Sequence, residues 1–182
     1  MNTFLELVKL RTSVRRYDGR PVDRELALQC AEAARLAPSA CNSQPWRFIL
    51  CDDAEVLGQL RSSARSMGMN SFVDQAPMIA VLCSDGGNIQ ASLGGKVKGI
   101  PYHYIDIGIA AEHFCLAAAE AGAGTCMIGW FNKKKVSSAL GLPPGIRPLL
   151  LITLGYEQGD ARREKRRKNL DEILSWNRYT RQ

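Results

Sequence analysis

The chain of 182 residues has little that could build a metal centre. Its two histidines, His103 and His113, are too few for a His-rich metal site. Its six cysteines (Cys30, Cys41, Cys51, Cys83, Cys115 and Cys126) stand singly, without a C-x-x-C pair. That spacing argues against a zinc site and a disulfide framework, and it fits a reducing compartment. No apolar run approaches the roughly 18 residues of a membrane span. Met1 to Leu10 lacks the basic and apolar regions of a secretory leader. A cytoplasmic protein with no membrane partner is expected. No G-x-x-x-x-G-K-[ST] loop occurs, since Gly94-Gly95-Lys96 lacks the rest of it. Gly122-Ala123-Gly124-Thr125 starts like a dinucleotide fingerprint, but it lacks the third glycine and follows a helical pattern. No catalytic triad is visible. Hard chemistry in such a chain belongs to a cofactor.

Charge is present but uneven. The net charge is +6, and the run Arg162, Arg163, Glu164, Lys165, Arg166, Arg167, Lys168 carries five of those charges. The remainder is close to neutral, so no nucleic-acid partner is expected. The run itself reads as a solvated arm, an arm touching nucleic acid, or a phosphate site. It lacks interleaved aromatic residues for base stacking. Hydrophobic residues make up 46%, enough for a core without staples. One domain over 1–182 is expected, with a C-terminal arm from 161 to 182.

Periodicity gives the order of elements. Thr3 and Glu6 make a capping box for a first helix ending near Lys9 to Arg11. Asp23 caps a second, alanine-rich helix that Pro38 stops. Trp46 to Leu50 alternates as a strand, and Ala54 to about Ser66 is helical. Met78 to Cys83 is a strand buried on both faces. Residues 84–99 read as a long loop. Ile105 to Ala121 is a helix apolar almost all round, with Gly122 at its end. Thr125 to Ile128 is a strand, Asn132 caps a helix to Leu140, Leu149 to Leu154 is a buried strand, and Leu170 to Ser175 a final short helix. The pattern is α+β, in three layers around one mixed sheet.

Two polar segments stand out. Arg11, Ser13 and Arg15 face one side if the backbone is extended. Two guanidiniums and a hydroxyl suit a phosphate, although a solvated basic turn has the same composition. Lys165 and Arg167 alternate likewise and could close on the same phosphate. The second segment, Ala37-Pro38-Ser39-Ala40-Cys41-Asn42-Ser43-Gln44-Pro45-Trp46-Arg47-Phe48, is a rigid polar loop delivered between a helix and a strand. Loops of that kind carry binding more often than packing.

These segments, with Gly122-Ala123-Gly124-Thr125-Cys126-Met127-Ile128-Gly129, resemble the nitroreductase-like FMN flavoproteins. The match runs in order from Leu7 to about Ile173. The resemblance implies a three-layer α+β fold with a central, mixed but mainly antiparallel sheet flanked by helices, in an intertwined homodimer. It implies FMN as cofactor and NADH or NADPH as reductant. It places Arg11, Thr12 and Ser13 at the FMN phosphate, Arg15 near the pyrimidine edge, and Lys165 and Arg167 back at the phosphate. Pro38, Ser39, Ala40 and Asn42 would wall the flavin from the partner subunit. Met127, Ile128 and Gly129 would line its other side, one backbone N–H facing N5.

The activity implied is electron transfer from NAD(P)H to a nitroaromatic, quinone or related small-molecule acceptor by ping-pong kinetics. A flavin-binding sensor or electron store would use the same site. Tyr102 and His103 are candidates for the substrate face, or pack the entry of a helix. Trp130 either crowds the site or belongs to the core. Cys41 and Cys126 read as small packing residues. No metal is expected.

Overall fold

The computed structural model describes residues 3–65, 68–88, 95, 97–159 and 165–180. Arg162, Arg163 and Glu164 of the basic run lie outside the described residues, as do 89–94 and 96 of the loop at 84–99.

Local signals fix most helix starts. Helix α1 (Phe4–Leu10) opens on the expected capping box: Thr3 N–H donates to Glu6 Oε2 at 2.7 Å, and Glu6 N–H to Thr3 Oγ1 at 3.3 Å. Asp23 caps α2 (Arg24–Arg35), Asp53 caps α3 (Ala54–Ala64), and Asn132 caps α5 (Lys133–Ala139). Each side-chain oxygen accepts an otherwise unpaired amide of the first turn. Helix α4 (Tyr102–Glu120) begins three residues before the expected Ile105. Pro101 stands at its N-cap with φ −77°, a restricted angle that leads into a helix.

The strands are β1 (Trp46–Cys51), β2 (Met78–Ser84), β3 (Gly124–Ile128) and β4 (Arg147–Gly155), in the order β1-β2-β4-β3. All three pairings are antiparallel. Among the described residues the parallel contribution is one isolated bridge, Ser13 to Thr125. Every residue of β2 is buried. Its alternate residues serve two cores. Met78, Ala80 and Leu82 face α2 and α4, with Ala27, Cys30, Ala34, Ala110, Phe114 and Ala118. Ile79, Val81 and Cys83 face α3 and α5, with Leu57, Leu60 and Val136. The result is an α+β molecule of three layers. Small side chains on both α2 and α4 let those helices approach closely, and Phe114 of α4 stacks on Phe48 of β1 at 5.5 Å.

Two expectations are corrected. Leu170 to Ser175 is not a helix: a turn occupies 171–173. Leu170 and Ile173 are 68% and 69% exposed, so no apolar face is buried to stabilise so short a helix. The stretch 84–99 is not loop throughout, since Gly95, Val97 and Lys98 are helical.

Candidate functional site

The first helix hands the chain directly to the polar segment. Arg11 takes extended backbone at the end of α1, and the chain then runs beside β3. Val14 N–H donates to Thr125 C=O at 2.9 Å, next to the Ser13–Thr125 bridge. Val14 is buried, while Ser13 and Arg15 are exposed. That is the alternation expected of extended backbone. The approach to β3 is close: a Cβ on residue 124 would lie 2.5 Å from Val14 Cγ2, and Gly124 avoids that clash.

Arg11, Thr12, Ser13 and Arg15 line one cleft of about 680 Å3 together with Lys165, Arg166 and Arg167. The two ends of the chain thus meet at one basic surface. Arg11 Nε is held by Glu112 Oε1 of α4 at 2.9 Å, with the Arg11 side chain 17% exposed. Arg15 Nη1 donates to Ser13 C=O at 3.5 Å, and its guanidinium sits 5.8 Å from the Phe72 ring centre. Lys165 Nζ donates to Val8 C=O. Burial lowers the Lys165 pKa from its ordinary 10.5, and the neighbouring Arg11 and Arg167 cations lower it further. This is a concentration of like charge that an anion would relieve.

The loop after α2 is held elsewhere. Pro38, Ser39, Ala40 and Asn42 do not line the basic cleft. A 3₁₀ turn spans Ala40–Asn42, and Cys41, Asn42 and Gln44 have φ of 50°, 49° and 46°. Left-handed backbone at non-glycine residues costs on the order of 1 kcal/mol each. Side-chain clamps hold it: Gln44 N–H donates to Ser39 Oγ at 2.9 Å, and Ala40 N–H to Asp106 Oδ1 of α4 at 3.1 Å. Met127 is half-buried against the α2/α4 core, Ile128 is buried, and Gly129 is exposed at the end of β3. Trp130 is 59% exposed, which removes its core-packing alternative. Tyr102 and His103 are half-buried in the first turn of α4, where they line a second cleft of about 590 Å3 that Trp130 does not line.

Burial raises the Cys126 thiol, outweighing the nearby Arg15 and Arg11 cations, and it raises Cys30, Cys51 and Cys83 to about 11 and Cys115 to about 12. These thiols stay protonated at neutral pH. Among the described residues no group of three or more His, Cys, Asp or Glu is placed to hold a metal. Nor is any helix there long and apolar enough to cross a membrane. Sequence reasoning missed Glu112 and Asp106. Their signal was a carboxylate on an otherwise apolar helix.

Residues 8–156 match the family model described as "Nitroreductase family". The chain belongs to the nitroreductase family. An Archaeoglobus fulgidus protein provisionally named NADH dehydrogenase/NAD(P)H nitroreductase is 31% identical over 166 residues, which cover 88% of each chain. The crystal structure of a nitroreductase family protein from Streptococcus pneumoniae superposes with a TM-score of 0.82 at 28% identity, over 95% of this chain and 99% of that one. A provisionally named nitroreductase from Exiguobacterium sibiricum, solved in complex with FMN, gives a TM-score of 0.81 at 25% identity, over 97% and 98% of the two chains. The three-layer α+β architecture is the nitroreductase fold.

Proposed function

We propose that this nitroreductase family member is a cytoplasmic, FMN-dependent NAD(P)H oxidoreductase that works as a homodimer. Its acceptor is a nitroaromatic, quinone or related small molecule, reduced in a ping-pong sequence. The observation that carries this reading is the meeting of Arg11, Thr12, Ser13 and Arg15 with Lys165 and Arg167 around one cleft.

The donor set fits the phosphate of FMN. Guanidinium forks and a hydroxyl match phosphate oxygens in number and geometry, and Lys165, whose pKa is lowered by burial first and by Arg11 and Arg167 second, adds an ammonium beside them. Arg11 and Ser13 bind the phosphate, Thr12 lies beside them, and Lys165 and Arg167 close on it from the arm. One domain over the whole chain thereby supplies both ends of the site. Arg15, two residues further along the segment that runs beside β3, supplies positive charge at the ring's pyrimidine edge. Met127, Ile128 and Gly129 flank the ring. Pro38, Ser39, Ala40 and Asn42 wall the site of the other subunit, and the bonds to Ser39 and Asp106 that hold the left-handed backbone of Cys41, Asn42 and Gln44 keep that wall rigid. When bound, FMN accepts a hydride from NAD(P)H and passes electrons to the acceptor. The chain positions both substrates, shields the site from water and sets the local field.

The test is a visible absorption spectrum of the purified protein, followed by steady-state NADH and NADPH oxidation with menadione and nitrofurazone. Flavin bands and turnover with at least one nucleotide are expected. Colourless protein that takes up no added FMN overturns the cofactor. Yellow protein without turnover on any acceptor overturns the enzyme.

A further inference from the structure

The second cleft combines two ring-bearing side chains with an open cation. Its charged lining residues are Asp85, Asp106 and Arg147. Asp85 pairs with Arg47 at 2.6 Å. Asp106 is sealed behind the wall: it is 4% exposed, its Oδ1 accepts the Ala40 N–H at 3.1 Å, and its Oδ2 is buried out of a ligand's reach. Arg147, the first residue of β4, is exposed. Its guanidinium has no ion-pair or hydrogen-bond partner among the described residues. A planar fork of N–H donors with a permanent charge therefore stands open on the cleft. The Tyr102 hydroxyl and the His103 ring, both half-buried in the lining, also lack hydrogen-bond partners among the described residues, and each can donate one bond. Ring surface, free donors, and no unpaired carboxylate within reach suit an aromatic acid.

We infer that Arg147 makes this cleft selective for an aromatic ring that bears a carboxylate, and that such an acid is the class of acceptor the protein prefers. The ring lies against Tyr102 and His103, and the guanidinium fork donates to both carboxylate oxygens. A bidentate, charge-assisted pair of this kind is stronger than a neutral hydrogen bond and fixes the ring's orientation. Ser43 also lines the cleft and directly follows the loop from Pro38 to Asn42, so the bound ring sits next to the proposed flavin wall. A nitro group held there takes two electrons, supplied by NAD(P)H, and two protons, and leaves as a nitroso group and water. The inference rests on the proposed function for that reduction, while binding in the cleft stands apart from it.

The discriminating variant is Arg147→Gln. It removes the charge and the fork from an exposed side chain, while the backbone that pairs with β2 opposite Ser84 stays in place. Thermal melting of the variant should match the wild type. The first measurement is calorimetric binding of benzoate and its uncharged isostere benzamide to the full-length protein. The wild type should bind benzoate about fivefold more tightly or better, a charge-assisted contact discounted for exposure to solvent, and Arg147→Gln should lose that preference. The second compares 4-nitrobenzoate with 4-nitrobenzamide as acceptors for the FMN-loaded protein. The acid's advantage should lie in KM and vanish in Arg147→Gln, with the KM for 4-nitrobenzamide unchanged. Equal binding of benzoate and benzamide by the wild type overturns the inference. So does a preference that survives in Arg147→Gln, which would put the carboxylate elsewhere, as on the basic cleft around Arg11. Equal KM values for the two nitro compounds in the wild type overturn the acceptor role. Selective benzoate binding that Arg147→Gln abolishes, without turnover of any acceptor, upholds the site and overturns the proposed function alone.

Discussion

Arg11 combines two demands that a single residue rarely meets by chance. Glu112 fixes its Nε, so the guanidinium is oriented before any ligand arrives. Pre-orientation reduces the entropy lost when an anion binds. Arg11→Ala and Ser13→Ala should each raise the FMN dissociation constant, by about tenfold or more for Arg11, where a charged hydrogen bond is lost. Flavin stoichiometry after gel filtration and titration of apoprotein with FMN measure this. Full occupancy in both variants refutes the phosphate assignment. Lys165 adds a pH signature. The unfolded chain holds that proton up to about the ordinary 10.5, and the folded chain releases it earlier. Just below the ordinary value the folded state therefore binds fewer protons, so this group's effect is a stability that rises with pH across that window. Bound phosphate should raise the Lys165 pKa and flatten the slope. Arg11→Ala should flatten it too, since Arg11 is one of the groups lowering the pKa. Urea unfolding of apoprotein across alkaline pH, with and without phosphate, reads the change.

At the scale of elements, most helix starts were legible because each is written in one or two residues, such as Thr3 with Glu6 or Asp23 alone. The buried strands were legible because β2 is apolar at every position but its last. The loop at 38–44 was legible as rigid and polar. Its left-handed Cys41 and Gln44 were not, because neither residue type favours that backbone, and a local clamp from Ser39 with a long-range one from Asp106 imposes it. The final helix expected over Leu170 to Ser175 failed for a related reason: helical periodicity needs a surface to pack against. The Ser13–Thr125 bridge was invisible too, since nothing local announces a pairing between residues so far apart. Yet that pairing positions the basic cleft, and Gly124 is what allows it. Gly124→Ala would drive a Cβ into Val14, whose docking beside β3 fixes Ser13 and Arg15. The variant should lose roughly 1–3 kcal/mol of stability, as overpacked sites do. FMN affinity should fall with it although no ligand contact is changed. Thermal melts of apoprotein and FMN titration, compared with Ser13→Ala, separate the two effects. Unchanged melting and unchanged affinity would show that the segment does not need β3.

At the scale of the molecule, one chain leaves much apolar surface uncovered. Phe4 and Leu5 of α1, Leu28 of α2, and Tyr104 and Ile105 of α4 are all more than half exposed. On the arm, Trp176 and Tyr179 are 82% and 86% exposed. Monomers seldom leave so much large apolar side-chain surface to water. The candidate site is divided in a matching way. The basic cleft gathers residues from both ends of the chain, yet the loop from Pro38 to Asn42 lies outside it. A second copy that covers the apolar residues and brings its own loop to the cleft would answer both facts. Dimerisation and FMN retention are then one equilibrium, because a ligand held by two chains stabilises their association by mass action. Ile105→Asp puts a charge where an apolar contact is expected, and a desolvated unpaired charge is strongly unfavourable. Its side chain is exposed in the single chain, so the folded protomer should survive. Light scattering should report a monomer and the absorption spectrum little bound flavin, with added FMN partly restoring the dimer. Circular dichroism should match the wild type. A monomeric Ile105→Asp protein that keeps its full complement of FMN would show that each chain holds its cofactor alone, and the wall assigned to Pro38, Ser39, Ala40 and Asn42 would have to be given up.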